Sequence, residues 1–257
     1  MRFLNRKPLS IVQSQRDWRS WESTNIARNL AVLEQQIIEP MLARTFGNHL
    51  LQISMAGAQP LFQSSRVANK TIVHFEYPVR GLGHALVSEP DYLAVANERI
   101  DTLILHHVLE FSANPHQVLR EAQRVMASGG QLFVIGFNPW SLWSLRKYFS
   151  FSSIAPWRGN YLTSARVSDW LRLLDFQIQN RQFGLFHFPV NNERLISSCH
   201  GLERIGQKYN CFLGGFYVMV ARKQVAGLTP LRSEKIKRRI IPFPVTEPTT
   251  RSLKPSD

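Results

Sequence analysis

The hydrophobic and polar positions of the chain fall into alternating helix-like and strand-like blocks. From residue 25 to residue 46, apolar side chains recur every three or four positions, which predicts an amphipathic helix capped by Ser23 or Thr24. Pro40 is expected to kink or end that helix. The apolar run at 49–54 then predicts a short buried strand.

Four further runs predict strands in the central part of the chain. They lie at 71–76, at 83–90, from Asp101 onward, and at 130–137. The last run is nearly continuous in apolar residues, which is typical of a strand buried on both faces of a parallel sheet.

Two capped helices accompany these strands. The first has Asn114 suited to the N-cap and Pro115 to the first helical position, and Gly129 with Gly130 is expected to end it. The second lies within residues 162–176.

The C-terminal third predicts a strand at 176–183, a helix within 191–209 and a final strand at 214–223. The expected apolar face of that helix consists of Leu195, Leu202, Ile205 and Tyr209. Strands that alternate with helices indicate an α/β fold with a parallel sheet. Because no crossover helix is evident before the final strand, that strand could run antiparallel.

Composition limits the class of protein. The 257 residues are 44% hydrophobic and carry a formal net charge of +13, which favours partners that bear phosphate, such as nucleic acid, anionic lipid or nucleotides. A solvated basic face gives the same charge without any partner. No apolar run reaches the roughly 18 residues of a membrane span, and the N-terminus lacks the apolar core of a secretory signal. Two cysteines without a CxxC pair favour a reducing cytoplasm.

Three segments are expected along the chain. Residues 1–46 form a helical lead-in, residues 47–223 form the α/β domain, and residues 224–257 form a basic, proline-rich tail. The tail has seven Lys or Arg against three Asp or Glu, five prolines and few large apolar residues. Such a composition cannot bury a core, so the tail is expected to be disordered.

The sequence LILHHVLEF places two adjacent histidines, His106 and His107, at the end of an apolar strand. Since neighbouring strand residues point to opposite faces, the pair is not expected to bind one metal ion, and no metal site is predicted. A histidine there can accept a proton near neutral pH, or it can line a cleft as a hydrogen-bonded residue without chemistry. P-loop, GxSxG and HExxH motifs are absent.

The run IDTLILHHVLEFSANPHQVLREAQRVMASGGQLFVIGFNP resembles the middle of class I S-adenosylmethionine-dependent methyltransferases of the methyltransferase-11 type. The segments GFNPWSLWSLR and TSARVSDWL further resemble a bacterial branch of that superfamily. The resemblance implies a Rossmann-like fold with a seven-stranded, mostly parallel sheet, an antiparallel last strand and helices on both faces. It also implies S-adenosyl-L-methionine as the cofactor.

The first strand departs from the D-x-G-x-G-x-G pattern of that superfamily. Gln52, Ser54, Ala56 and Ala58 stand at the four patterned positions, and Gly57 is one place out of register. Glycine lets the backbone approach the cofactor closely. Small side chains here imply either a slightly wider turn or the loss of cofactor binding.

The resemblance also assigns roles to polar residues at the strand ends. Glu76, after the second strand, is expected to accept the ribose hydroxyls, because one carboxylate can take two hydrogen bonds. Glu89, after the third strand, is expected to meet the adenine amine. His106 is the candidate catalytic residue beside the cofactor. The expected cofactor-binding set is completed by Ser54, Ala56, Gly57 and His106.

The aromatic and basic segment 138–162 is interpreted as a lid or an acceptor wall, with stacking on nucleic-acid bases as the less favoured alternative. The leading hypothesis is a cytoplasmic enzyme that transfers a methyl group from S-adenosyl-L-methionine to an unidentified acceptor. The alternative is a catalytically inactive binding or scaffold protein with a basic surface. A nicotinamide-dependent dehydrogenase fits less well, because GxGxxG is absent.

Overall fold

The computed structural model describes residues 10–56, 59–76, 86–149, 156–186 and 200–224. The strands within these ranges are β1 His49–Ser54, β2 Asn69–His74, β3 Leu86–Val87, β4 Ile100–His106, β5 Met126–Phe137, β6 Phe176–Gly184 and β7 Phe216–Lys223. The helices within them are α1 Ile11–Glu22, α2 Asn25–Leu42, α3 Pro115–Val125, α4 Leu142–Phe149, α5 Ser164–Leu173 and α6 His200–Lys208.

The strands form one seven-stranded sheet in the order β3-β2-β1-β4-β5-β7-β6. Neighbouring strands from β3 to β5 are parallel, whereas β7 runs antiparallel to both β5 and β6. The predicted Rossmann-like α/β fold and its antiparallel last strand are therefore confirmed. The strand order reverses between β1 and β4, and ligands of such sheets bind beyond the carboxyl ends of the strands at that point.

The two N-terminal helices share the core with the sheet. Thr24 caps α2 through a hydrogen bond from the Ala27 amide, and Pro40 lies inside the helix, which ends two residues later. α1 lies within the segment 1–46, which is expected to be helical, and its composition is mostly polar. Both helices nevertheless contribute large buried side chains, namely Trp18, Leu30, Ile38 and Leu42.

The start of β1 is tied to β4 by Asp101. Its carboxylate Oδ2 accepts hydrogen bonds from the backbone amides of Asn48 and His49, at 2.7 and 3.0 Å. Gly47 adopts φ of +144°, a backbone conformation that residues with a side chain rarely adopt. It also lies directly against the carboxylate, so a side chain at this position would collide with Asp101. This contact sets the register in which β1 and β4 present their carboxyl ends side by side.

The predicted end of α3 is wrong. The helix stops at Val125, and Met126 is already extended (φ −77°, ψ 136°) and paired with Ile100 of β4. Pairing in the sheet outweighs the local helical pattern here, as sheet context often does. Gly129 and Gly130 instead lie within β5, next to an irregularity in its pairing with β4.

The apolar face expected for the last helix is also wrong, since Ile205 and Tyr209 are 61% and 73% exposed. In their place, α6 buries the carboxylate of Glu203, which accepts hydrogen bonds from two backbone amides beyond β6 at 2.8 and 2.9 Å. These two hydrogen bonds tie α6 to the segment that follows β6, because a buried carboxylate left without partners is costly. Leu195 and the rest of 187–199 lie outside the described residues.

Other boundaries differ by small amounts. β2 begins and ends two residues earlier than the predicted 71–76, and β3 is the described strand within 83–90. Of the predicted tail, 225–257 lies outside the described residues. Within the described part of the chain, no helix combines the length and apolar character that crossing a membrane requires.

Candidate functional site

A cluster of buried ionisable side chains lies at the carboxyl end of β4. His106 ends the strand, His107 follows it, Glu110 lies in the next turn, and Glu34 reaches in from α2. In that order, the four residues are only 3%, 0%, 3% and 1% exposed to solvent. Charged groups are rarely buried to this extent unless they are paired.

The carboxylate of Glu34 bridges the two imidazoles. Its Oε2 lies 3.0 Å from Nε2 of His106, and its Oε1 lies 2.6 Å from Nε2 of His107. On the far side of the second ring, Oε1 of Glu110 lies 3.1 Å from Nδ1 of His107. The two rings are 4.7 Å apart between centroids, so four side chains form one continuous network.

This arrangement overturns the argument that the two histidines must face opposite sides. His107 adopts φ of +54°, the left-handed region, which turns the chain directly after the strand and brings its ring to the same side as that of His106. Its backbone amide still donates to Ile135 of β5 at 3.0 Å. Alternation of faces applies within a strand, and the strand ends one residue too early for it to apply here.

The electrostatics of the cluster favour one extra proton on His107. Burial alone would lower the pKa of His107, but the charge of Glu34 and hydrogen bonds to Glu110 and Glu34 raise it to about 9. Burial would raise the pKa of Glu34, yet the two histidines outweigh it and hold the pKa at about 2. For His106, burial outweighs the attraction of Glu34 and lowers the pKa, so this ring is the neutral one.

Three of the predicted cofactor residues lie together. Ser54, at the end of β1, is the register partner of His106, and its Oγ is 2.7 Å from Nδ1 of that ring. The same Oγ accepts a hydrogen bond from the Ala56 amide at 3.0 Å. From α1, the side-chain amide of Gln15 donates to the Ser54 carbonyl at 3.3 Å, so the helix closes over the end of β1.

The other predicted residues are placed separately. Glu76 lies two residues beyond β2 and is paired with Arg16 of α1, whose Nε donates to its Oε2 at 3.2 Å. That pairing lowers the pKa of Glu76. Glu89 lies two residues beyond β3, exposed, in an isolated bridge with Tyr92. Gly57 lies outside the described residues, as does Ala58.

Gln52 stands where the superfamily pattern has an acid, and its amide is fully buried. Its Nε2 donates to the Gln59 carbonyl at 2.7 Å, and its Oε1 accepts from the Leu61 amide at 2.9 Å. An amide suits this position because it can donate and accept at once, which a carboxylate cannot. Gln52 therefore holds the segment that follows β1 against the sheet.

A small cavity of about 50 Å³ lies where α1, α2 and the turn after β1 meet. Glu34 and His106 form its inner wall. Beside it, the indole of Trp18 lies 5.1 Å from the ring of His107 and 6.0 Å from that of Phe137, between centroids. The remaining lining residues are Trp18, Trp21, Glu22, Ala27, Arg28, Leu30, Ala31, Ala56, Gln59 and Leu61.

The described part of the aromatic segment packs against Phe137 and α1. Trp143 of α4 is fully buried, with its ring 5.9 Å from Phe137 and 6.4 Å from Trp21 of α1. Trp157 lies 5.4 Å from Trp143 and is also buried. The other side of α4 borders an apolar surface cavity of about 290 Å³, where Trp140 is 68% exposed.

Several of the clustered residues were not identified from sequence. The burial of Glu34 could be predicted from sequence. It lies four residues after Leu30 and three before Ile37, and so falls on the apolar stripe of α2. An acid on a buried face needs a partner, and that requirement points to a histidine or arginine. Gln15 and Arg16 carried no comparable signal.

Comparison with known proteins identifies relatives of this chain. The methyltransferase-11 family model, described as a methyltransferase domain, matches residues 64–134. The uncharacterized protein YafS of Escherichia coli K12 is 31% identical over 211 residues, which cover 81% of this chain and 82% of YafS.

Solved structures of low sequence identity share the fold. An S-adenosylmethionine-dependent methyltransferase of Thermotoga maritima aligns with a TM-score of 0.58 at 16% identity, over 83% of this chain and all of the other. The [4+2]-cyclase SpnF aligns with a TM-score of 0.57 at 17% identity, over 86% of this chain and 98% of the other. The chain belongs to the same family as YafS, and it has the fold of the S-adenosylmethionine-dependent methyltransferases to which it aligns.

Proposed function

We propose that the protein transfers a methyl group from S-adenosyl-L-methionine to an acceptor that is not yet assigned. The observation that carries this proposal is the pairing of Ser54 with His106 at the point where the strand order reverses, with Glu76 beyond the neighbouring β2. Polar groups at this edge of a doubly wound sheet are suited to bind a nucleoside.

The cavity that the described residues leave at this edge is too small for the cofactor while α1 is in place. A small-molecule pocket usually has at least about 300 Å³, whereas the cavity beside Ala56 and His106 has about 50 Å³. One water needs about 10–15 Å³, so the cavity holds a few waters at most. Arg16 also engages Glu76, the carboxylate that the ribose would need.

The proposal therefore requires α1 to withdraw. Its two polar contacts, from Gln15 to the Ser54 carbonyl and from Arg16 to Glu76, are the ones that must break. With both contacts released, α1 no longer ties down the ends of β1 and β2, near which Ser54 and Glu76 lie. His106, neutral because burial lowers its pKa, is the candidate proton acceptor at the inner wall.

A second candidate function is a non-catalytic binding or scaffold role. The observation that favours it is the same closure by α1, together with Ala56 at a position where the superfamily has glycine. The fold does not decide between the two candidates, because one fold hosts many functions and a structural neighbour is a cyclase.

Isothermal titration of the full-length protein with S-adenosylmethionine and S-adenosylhomocysteine tests the proposal. We expect binding that is weakened by Glu76→Ala and by Glu89→Ala, and strengthened when both Gln15 and Arg16 are replaced by alanine. Folded wild-type protein and folded Gln15→Ala/Arg16→Ala protein that both release no heat with either ligand would establish the non-catalytic alternative.

A further inference from the structure

The network at the end of β4 has the composition of a metal site. Two imidazoles and one carboxylate, from His106, His107 and Glu34, offer one ligand atom each within 4.8 Å of one another. All three are buried, so the ligands are held away from bulk solvent. Zinc sites with two histidines and a glutamate are a common catalytic type.

The ligand atoms need little movement to reach coordinating positions. Zinc lies about 2.0–2.2 Å from nitrogen and oxygen ligands, which places neighbouring ligand atoms about 3–3.5 Å apart. The Nε2 atoms of His106 and His107 already lie 3.0 and 2.6 Å from the two oxygens of Glu34. All three ligand atoms lie within 4.8 Å of one another, so rotation of the side chains is needed to place an ion between them.

The groups behind the histidines are those that a metal site requires. Metal-bound histidines nearly always have their other ring nitrogen hydrogen-bonded to a carboxylate, carbonyl or water, which fixes the ring orientation. Here Nδ1 of His107 faces Glu110 at 3.1 Å, and Nδ1 of His106 faces the Ser54 hydroxyl at 2.7 Å. Both rings therefore present Nε2, and not Nδ1, towards Glu34.

Charge and space also suit a cation. Glu110 has a second carboxylate oxygen, Oε2, which is buried and lacks a hydrogen-bond partner among the residues that the structure describes. Two buried carboxylates, from Glu34 and Glu110, face the imidazoles, and the charge of Lys147 also acts on Glu110. Buried negative charge of this kind is stabilised by a cation. The cavity of about 50 Å³ touches Glu34 and His106 and can supply water to complete the coordination.

We propose that Glu34, His106 and His107 bind one divalent transition-metal ion, for which zinc is the best match. Imidazole and carboxylate together suit zinc and iron, whereas magnesium and calcium prefer oxygen ligands alone. The ion replaces the proton that His107 shares with Glu34, so that binding releases a proton to solvent. In the metal-bound protein His106 is a ligand, and its ring is not available as a base.

The test uses cobalt as a spectroscopic substitute for zinc in full-length protein that has been stripped with a chelator. We expect one Co²⁺ per chain, with visible absorption bands of a low-coordinate site, and displacement of Co²⁺ by Zn²⁺. His106→Gln and His107→Gln should abolish the bands. His116→Gln, an exposed histidine on α3, should leave them unchanged.

A change in the supporting groups separates coordination from folding. Ser54→Ala keeps all three ligands but removes the hydrogen bond to His106. Because that bond orients the ring, we expect the affinity for Co²⁺ to fall by about 10-fold or more. If His107→Gln does not fold, as judged by circular dichroism, His106→Gln and Ser54→Ala decide the question. The proposal is overturned if folded wild-type protein takes up no Co²⁺, or if the folded His106→Gln protein gives the same bands as wild type.

Discussion

Arg16 of α1 pairs with Glu76, the residue two positions beyond β2. The Nε and Nη2 atoms of the guanidinium donate to the two carboxylate oxygens. The two side chains are 63% and 41% exposed. Exposed ion pairs hold their partners weakly because water and salt screen them. The contact between α1 and the end of β2 is therefore easily broken, although in the proposed function it occupies the carboxylate that would bind the ribose.

Replacing Arg16 with alanine should free Glu76 for a ligand. We expect the dissociation constant for S-adenosylhomocysteine to fall by about threefold, since a surface ion pair opposes binding only modestly. Arg44→Ala, an exposed arginine beyond α2, is the matched control and should not change it. An unchanged or weaker affinity in Arg16→Ala would show that this pair does not oppose binding.

Replacing Glu34 with glutamine should destabilise the metal-free protein strongly. The change removes the charge that pairs with His107 and leaves a buried imidazolium without its main partner. We expect a loss of about 3 kcal/mol in the free energy of unfolding, measured by urea titration in the presence of a chelator. Glu39→Gln, at the exposed end of the same helix, should cost little. A loss no larger than that of the control would mean that the network does not stabilise the fold.

Glu22 should make stability fall as the pH rises. Burial raises the pKa of this half-buried carboxyl to about 7, against the opposing effects of Arg19 and Trp18. The folded state therefore binds more protons than the unfolded state between the unfolded pKa of 4.5 and about 7, and stability is lost through that window. We expect a loss of about 1 kcal/mol, reduced from the full shift because the group is partly solvated.

The measurement is the free energy of unfolding at about pH 5 and about pH 8, for wild-type and Glu22→Gln proteins. The variant should lose less stability between the two pH values, whereas Asp17→Asn in the same helix should behave like wild type. Identical pH dependence in wild-type and Glu22→Gln proteins would exclude Glu22 as its source.

Gly136 of β5 should not tolerate a methyl group. A Cβ there would lie 2.7 Å from the Tyr217 hydroxyl and 3.1 Å from Oε1 of Glu110, and both residues are buried. We expect Gly136→Ala to lower the free energy of unfolding by about 1–3 kcal/mol, the usual cost of overpacking. Gly201→Ala, where a Cβ meets no atom within 4 Å, should change stability by less than about 0.5 kcal/mol. Equal effects in the two variants would contradict the packing seen around Tyr217.

The strands of this protein can be predicted from sequence because the order of apolar and polar residues directly reflects which positions are buried. Runs such as 49–54 and 214–223 are apolar since the sheet buries them, and α2 shows its buried stripe for the same reason. The end of α3 was not readable, because Met126 becomes a strand residue only through pairing with Ile100, which is distant in sequence.

For the candidate site, sequence analysis proposed residues near the strand ends but did not identify the residues that the helices contribute. The family resemblance assigned Ser54, Glu76 and His106 to strand ends. Ser54 and His106 do end β1 and β4, whereas Glu76 lies two residues beyond β2. The contribution of α1 depends on where that helix lies in space, and a polar surface pattern such as that around Gln15 and Arg16 does not specify it. The shared orientation of the two histidines depends on a single left-handed residue, His107, for which histidine gives only weak evidence.

β7, the last strand that the structure describes, lies inside the sheet, between β5 and β6. During synthesis on a ribosome, β6 emerges before the strand on which it must pair, and it cannot join the sheet until residues 216–223 have left the exit tunnel. The nascent chain must therefore hold an incomplete sheet with an unpaired edge until residues 216–223 are available, a state that invites aggregation and chaperone binding.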